Sequence, residues 1–491
     1  MGRGICRALC TDFDQAKLIN TKLITHDFMA LVTSFSGIRG IYGQDLKDST
    51  AIKFAYSYLS FLRNKLDKNN ITLVIGMDTR PSGTRLIDSV IGALDCSFID
   101  VGIAPTPLVE FAVRHFEADG GIIVTASHNE PFWNGMKFLG RDGSVLNEKD
   151  MASVTGSAGD FKNFHKIQDR KIAEKSPEAA KKYSDFIFEI IGGENIERIR
   201  QSGQKIVLDP NGGAGIAAKK ILERAGVEVI GINMNFGEFN RKVEPTEDSM
   251  VYLKNVIDEA DADFAAAFDC DADRVEIMLR DGSIVSGNCI LALVAGQILS
   301  ATKNPQHQTV VVNDATSNVV RDAVLKHGAK IKEVEVGETN VVEGMKMTKS
   351  PVGGEGSSGG AIIAPSKCRD GILTLLSILS LVAKEQRSLG DLVDLLPGYF
   401  NLKKKLEFEE KNHDLIKRFI KSHYSGKGFE IKETGGIKGG LKAITGKNSF
   451  VWFRASKTES GIFRIISDSD KKEEAEKLLD EAVKVFRRAN E

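Results

Sequence analysis

The chain has 491 residues, 42% of them hydrophobic and 27% charged, with 47 Gly and 11 Pro. One hydrophobic core cannot fill such a length, so about three or four domains are expected, and a small stapled module, a disordered chain and a collagen-like one are excluded. Lys plus Arg at 66 nearly balances Asp plus Glu at 67, a formal net charge of -1; no whole-molecule field collects nucleic acid or an anionic membrane, and any anion must be bound locally.

Residues 1–28 mix Arg3, Arg7, Asp12, Asp14 and Lys17 without an apolar signal core, and Cys6 stands where a myristoylation motif wants Ser or Thr; they are read as an N-terminal extension ahead of Met29. From residue 73 onward, short β-branched runs alternate with amphipathic stretches, as in strand 205–209, helix 215–225 and strand 227–232, the pattern of an α/β protein with parallel or mixed sheets. The pattern recurs in blocks at 73–138, 205–279 and 309–363, the last followed by a helix from Asp370 to about Glu385, with no residue-level repeat visible. Polar or Gly/Pro-punctuated breaks fall at 162–179 and 386–401. Residues 401–450 then hold 12 Lys and Arg against 6 Asp and Glu, with Gly435-Gly436 and Gly439-Gly440 turns, strands near 450–453 and 462–466 and a helix from Lys471. This is a smaller α+β domain whose basic character is either a local anion site or a solvated Lys-rich surface.

Six cysteines, Cys6, Cys10, Cys96, Cys270, Cys289 and Cys368, form no CxxC pair, which points to a reducing cytoplasm and away from a zinc or disulfide framework. The longest apolar runs, 289–301 and 371–383, fall short of the roughly 18 residues of a spanning helix and read as buried helices. No membrane or nucleic-acid partner is expected.

Four stretches carry chemistry. An apolar strand at 120–124 ends in TASHNE, 125–130, with Lys137 downstream. Ligands of open α/β sheets sit at such strand ends, so Ser127 is placed as a nucleophile or phosphate carrier with His128 beside it; the alternative is a helix-capping serine and a surface histidine. A second strand, 264–268, empties into DCDADR, with Asp269, Asp271 and Asp273 at alternate positions before Arg274. Three carboxylates crowded there repel unless a cation neutralises them, and an oxygen-only set suits Mg²⁺. An EF-hand is excluded because its sixth and twelfth positions would be Arg274 and Arg280. The third, GGEGSSGG at 353–360, offers Glu355, Ser357 and Ser358 as partners for sugar hydroxyls, or is a surface turn. In the fourth, RASKTESGIFR at 454–464, Arg454, Ser456, Lys457, Thr458 and Arg464 either hold a phosphate or decorate an exposed hairpin. A GxGxxA run at 213–218 lacks the acid a nicotinamide fold needs after its next strand and is read as helix-start packing, and no GxxxxGK[ST] occurs.

These four stretches in this order resemble the α-D-phosphohexomutase family, which interconverts hexose 1-phosphates and 6-phosphates; the resemblance runs from about Ser34 to the C-terminus. It implies four domains around a central cleft, three similar mixed α/β sheet domains plus a smaller C-terminal α+β one, with boundaries at 29–165, 166–285, 286–393 and 394–491. It further implies that Ser127 carries the transferable phosphoryl group and, with Asp269, Asp271 and Asp273, holds Mg²⁺. Arg39, Lys137 and His128 would join Ser127 in catalysis, and Arg274, Glu355, Ser357, Arg454, Ser456, Thr458 and Arg464 would bind a hexose phosphate or a hexose 1,6-bisphosphate. Arg369 and Asp370 would line the same cleft. Many relatives carry a histidine where this chain has Gly359 or Gly360, which leaves Glu338 and His128 as candidates for moving the proton. Phosphomannomutase/phosphoglucomutase chemistry is the expected activity, with phosphoglucosamine mutase chemistry the alternative. A haloacid-dehalogenase-type phosphatase with Asp269 as nucleophile and a non-catalytic sugar-phosphate binder are the rivals.

Overall fold

The computed structural model of the chain describes residues 31–34, 36–158, 171–436, 438–457, 459 and 461–490. The expected extension at 1–28 lies outside them, as does Thr458. Four sheets organise the described residues. The first contains β1 (Val32–Ser34), β2 (Gly37–Ile41), β3 (Thr72–Met77), β4 (Ser97–Ile103), β5 (Gly120–Val124), β6 (Trp133–Leu139) and β7 (Lys171–Glu174), in the order β1-β2-β6-β5-β3-β4-β7. The second holds β8 (Lys205–Asp209), β9 (Glu228–Gly231), β10 (Phe264–Phe268), β11 (Val275–Leu279) and β12 (Ile284–Val285), ordered β12-β11-β10-β8-β9. The third is β14-β13-β15-β16, from β13 (Thr309–Asn313), β14 (Lys330–Val334), β15 (Val352–Gly354) and β16 (Ala361–Ile363). The fourth is wholly antiparallel, β17-β21-β20-β19-β18, from β17 (Phe400–Glu407), β18 (Glu430–Glu433), β19 (Leu441–Gly446), β20 (Ser449–Ala455) and β21 (Ile462–Ser469). This is the expected class: three mixed α/β sheets and a smaller C-terminal α+β unit.

The first three sheets share one construction. A buried parallel strand turns back on an antiparallel neighbour, as β5 pairs β6, β10 pairs β11 and β15 pairs β16. Continuous apolar runs such as FAAAF are what a strand covered on both faces requires. Each sheet also has a parallel neighbour ending in an Asx turn, with Asp78, Asp209 and Asn313 accepting the N–H two residues on. The residue-level repeat absent from the sequence is present as geometry.

One large core runs through the first three units, and a second fills the other face of the first sheet. β7, beyond the expected boundary at 165, pairs with β4, and the helix Ser176–Ile191 packs on that same strand. Both long apolar runs are helices, Gly287–Ala301 and Gly371–Glu385. Gly371–Glu385 lies against the helix Gly193–Ser202 and β11 and so ties the third unit into the second. No helix among the described residues is long and apolar enough to cross a membrane.

Asp370 caps that tying helix. It is fully buried, its carboxylate accepts the Leu373 N–H at 2.9 Å and the Tyr183 hydroxyl at 2.8 Å, and burial still pushes its carboxyl up to about 6. The folded chain therefore keeps a proton that the unfolded chain releases, so this group's stabilisation is present below the ordinary Asp range and lost as pH rises toward 6. A shift of this size corresponds to about 3 kcal/mol. Asp370→Asn, which keeps the cap, is predicted to flatten that slope between about pH 4 and about pH 6 in urea-unfolding midpoints; a variant curve parallel to the wild type contradicts it.

Candidate active site

Each of the four sequence-predicted loops joins two paired strands: 125–132 joins β5 to β6, 269–274 joins β10 to β11, 355–360 joins β15 to β16, and 456–461 joins β20 to β21. Ser127 sits on a turn, not at a helix start, so the capping alternative falls. Its φ is +50°, a left-handed conformation rare for a non-glycine residue. Its amide donates to Thr125 Oγ1 at 2.8 Å, and its hydroxyl donates to Asp269 Oδ2 at 3.0 Å. The serine of the first unit thus meets the acidic loop of the second in a contact 1% exposed on the serine side.

Asp269, Asp271 and Asp273 are fully buried, and one oxygen from each lies within 4.8 Å of the others. Asp271 Oδ2 accepts from Thr106 Oγ1 at 2.6 Å and Lys137 Nζ at 2.8 Å, while Asp273 Oδ2 accepts from Arg369 Nη2 at 3.1 Å and Lys137 at 3.4 Å. Burial, then Asp273 and Asp271, push the Asp269 carboxyl well above the usual range. For Asp273 burial is outweighed by Arg369, Lys137 and Arg274, and its pKa falls. Burial also opposes the Lys137 charge, but Asp271, Asp273 and Glu338 outweigh it and raise the ammonium's pKa. The remaining oxygens Asp271 Oδ1 and Asp273 Oδ1 are buried with no hydrogen-bond partner. Orphaned acceptors in an all-oxygen cluster are the arrangement a hard divalent cation fits.

Arg39 lies opposite Gly135 in the β2–β6 register, two residues from Lys137, so both project from one face of the sheet. Arg39 Nη1 donates to Asn129 Oδ1 at 3.3 Å. Arg274 Nε lies 3.9 Å from Asp269 and 3.7 Å from Asp273. His128 is held neutral by burial and then by Arg274 and Arg39, and its Nδ1 is buried without a partner.

Arg369 joins the second unit to the third. Its guanidinium reaches Asp273, Glu338 at 3.4 Å and Glu355 at 3.4 Å, and its amide donates to Glu338 Oε1 at 2.8 Å. Glu355 also accepts from Asn313 Nδ2 and the Gly337 N–H, so its loop is a buried junction and the surface-turn alternative falls. Ser357 is exposed. A Cβ at Gly359 would stand 1.8 Å from the Val275 carbonyl, and one at Gly360, with φ +150°, would stand 2.6 Å from that of Asp273. No histidine fits at either place.

In the fourth unit, Arg454 Nη2 and Lys457 Nζ converge on Glu335 Oε1, at 3.2 and 2.6 Å. Lys457 also lies 3.9 Å from Glu148, on the helix Glu148–Ser157 that follows the first sheet's β6. Contacts therefore run from unit to unit and return to the first. Ser456 helps close the hairpin: its amide donates to the Ile462 carbonyl and its Oγ accepts from the Glu459 N–H. Arg464, opposite Arg454 in the register, pairs with Glu459.

Besides Glu335, Thr106 and Arg80 escaped the sequence reading. Thr106 docks the first unit on the acidic loop through its hydroxyl and through an amide bond to the Asp271 carbonyl at 2.9 Å. Arg80, its side chain fully buried, pairs with Asp78 and donates to the carbonyls of Ser127, Asn129, Glu130 and Trp133. It fixes the whole serine loop from behind. Arg80→Ala is predicted to strand Asp78 and four carbonyls, destabilising the protein by about 3–5 kcal/mol, read as a fall in urea midpoint; a change under about 1 kcal/mol contradicts this role.

Residues 32–160, 181–282 and 286–399 match the family models of phosphoglucomutase/phosphomannomutase alpha/beta/alpha domains I, II and III. The chain is 31% identical over 461 residues to a phosphoglucomutase/phosphomannomutase of Thermococcus kodakarensis, covering 92% of this chain and 98% of the relative. It is 27% identical over 464 residues to a phosphoglucosamine/phosphogalactosamine mutase of Sulfurisphaera tokodaii, covering 91% and 97%. Among solved structures, a phosphoglucomutase/phosphomannomutase family protein of Burkholderia thailandensis superposes with a TM-score of 0.76 at 21% identity, covering 94% of this chain and 98% of that one. An Aspergillus fumigatus N-acetylphosphoglucosamine mutase, in complex with GlcNAc-6P and magnesium, gives 0.63 at 13% identity, with coverage of 94% and 96%.

Proposed function

The chain belongs to the α-D-phosphohexomutase family, and we propose that it interconverts hexose 1-phosphates and hexose 6-phosphates through a phosphoserine at Ser127 and a bisphosphorylated sugar. The observation that carries this is the Ser127 hydroxyl seated 3.0 Å from Asp269 beside two other buried carboxylates. A phosphate-monoester bond is very slow to break unaided, with accelerations of up to about 10²¹ needed, so a lone serine does not suffice. The site meets this with fixed charge. Ser127, Asp269, Asp271 and Asp273 would hold Mg²⁺, which when bound neutralises phosphoryl oxygens in the loose transition state. Arg39 and Lys137 supply further positive charge on the same face, and Arg80 holds the serine in place.

In the forward step the P–O bond to Ser127 breaks as a P–O bond to the free sugar hydroxyl forms. That hydroxyl gives its proton to a side chain of the cleft, for which Glu338 and His128 are the candidates by position, and the Ser127 oxygen takes up a proton as it leaves, so that its hydroxyl is restored. The bisphosphate turns, and its opposite phosphate returns to Ser127. Arg454 and Lys457, across the cleft, suit the phosphate that is not reacting, since charged donors grip either end of the sugar without needing chemistry. Closure by the fourth unit would exclude water, to which the phosphoserine would otherwise be lost. Glucose and mannose phosphates are the favoured substrates, because the Thermococcus kodakarensis relative carries that name; glucosamine phosphate is the second reading, on the Sulfurisphaera tokodaii relative.

Ser127→Ala is expected to lose hexose-phosphate interconversion by a factor on the order of 10⁴ or more. A coupled assay on glucose, mannose and glucosamine phosphates, each primed with its 1,6-bisphosphate, reads the loss and ranks the sugars; wild-type turnover by the variant contradicts the scheme. Mg²⁺ is expected to raise the unfolding temperature by a few degrees, because it binds the folded aspartate cluster alone. Asp271→Asn should abolish that rise; an equal rise in both proteins contradicts the assignment.

A further inference from the structure

The clamp proposed for the non-reacting phosphate already holds an anion, and that anion belongs to the chain. Glu335 follows β14 at the end of the third sheet, its side chain 11% exposed, and a single oxygen takes both Arg454 and Lys457. Arg454 is 6% exposed, and its Nε is buried without a partner. The glycine turn shapes the seat: Gly435 has φ +64°, and a Cβ there would stand 2.1 Å from the Glu335 carboxyl carbon. The two units are fastened elsewhere as well, by Lys442 with Glu333 at 2.6 Å, Thr434 with Asp314 at 2.5 Å and the Asn318 amide with Asp468 at 3.0 Å. The fourth unit does not need Glu335 in order to dock.

We propose that the Glu335 carboxylate is a built-in competitor for the distal phosphate, which must displace it to reach Arg454 and Lys457. This rests on the assignment of that pair as the phosphate clamp. The carboxylate bears one charge, so a fully ionised phosphoester, with twice the charge and three oxygens, outcompetes it. A weaker anion does not. The clamp is thereby kept from filling with simple anions, and release of Glu335 on phosphate binding frees a contact between the third and fourth units.

The test measures binding by calorimetry, in the full-length protein, of inorganic phosphate and of glucose 6-phosphate. Glu335→Gln keeps the shape and removes the charge; it is expected to tighten both ligands about tenfold, equivalent to about 1.4 kcal/mol. Glu333→Gln weakens the same interface away from the clamp and is expected to leave both affinities within about twofold. Arg454→Ala is expected to weaken glucose 6-phosphate binding. No tightening in Glu335→Gln, with Arg454→Ala still weakening binding, overturns the competitor role alone. Equal tightening in Glu335→Gln and Glu333→Gln overturns it in favour of general loosening. If Arg454→Ala binds like wild type, the clamp assignment itself fails, and the competitor role with it.

Discussion

Three buried carboxylates within 4.8 Å of one another are the constraint around which this molecule is arranged. Left alone they repel, and burial multiplies the penalty. The fold answers by drawing cations from every side. Lys137 comes from the first sheet, Arg274 from the acidic loop itself and Arg369 from the third unit, so the same ion pairs that quiet the repulsion also join three units. The joint remains incomplete, with two aspartate oxygens still orphaned, and a divalent cation is the partner such a residue of negative charge wants.

The first three units position their loops by one repeated device, a buried parallel strand folding back on an antiparallel neighbour. In each, an Asx turn on the adjacent strand lies beside the loop. Glycine allows the loops to press together: Gly213 lies against the Cys270 carbonyl, where a Cβ would be 2.8 Å away, and Gly359 and Gly360 lie against the start of β11. The tight seam between second and third loops leaves no room for a histidine, and the charged pair Arg369–Glu338 stands at that seam instead. Ser127 and Ala272 are two of ten non-glycine residues with a left-handed φ among the described residues, and these two lie in the serine and aspartate loops, where the surrounding contacts hold the strain.

Much of this was legible in the sequence because its signals are local. Apolar strands emptying into TASHNE and DCDADR disclosed two of the loops, and apolar runs without charges disclosed the buried helices. Arg80 was readable in principle, since Asp78 and Arg80 flank one residue after a buried strand, the short spacing of an Asx turn with a paired guanidinium. Thr106 and Glu335 were not. Their meaning depends on partners 165 and 119 residues away, Asp271 and Arg454, and no periodicity encodes such a meeting. Ser456 and Arg464 show the converse: residue types suited to phosphate are partly spent on holding their own hairpin.

Ser127 Oγ is the atom proposed to carry the phosphoryl group between sugars. Peptide mass mapping of the purified protein after incubation with glucose 1,6-bisphosphate tests this directly. A phosphate confined to the peptide containing Ser127, and lost on addition of excess glucose 6-phosphate, is the predicted result. A phosphate on another residue, or none on this peptide while the enzyme turns over, would contradict it.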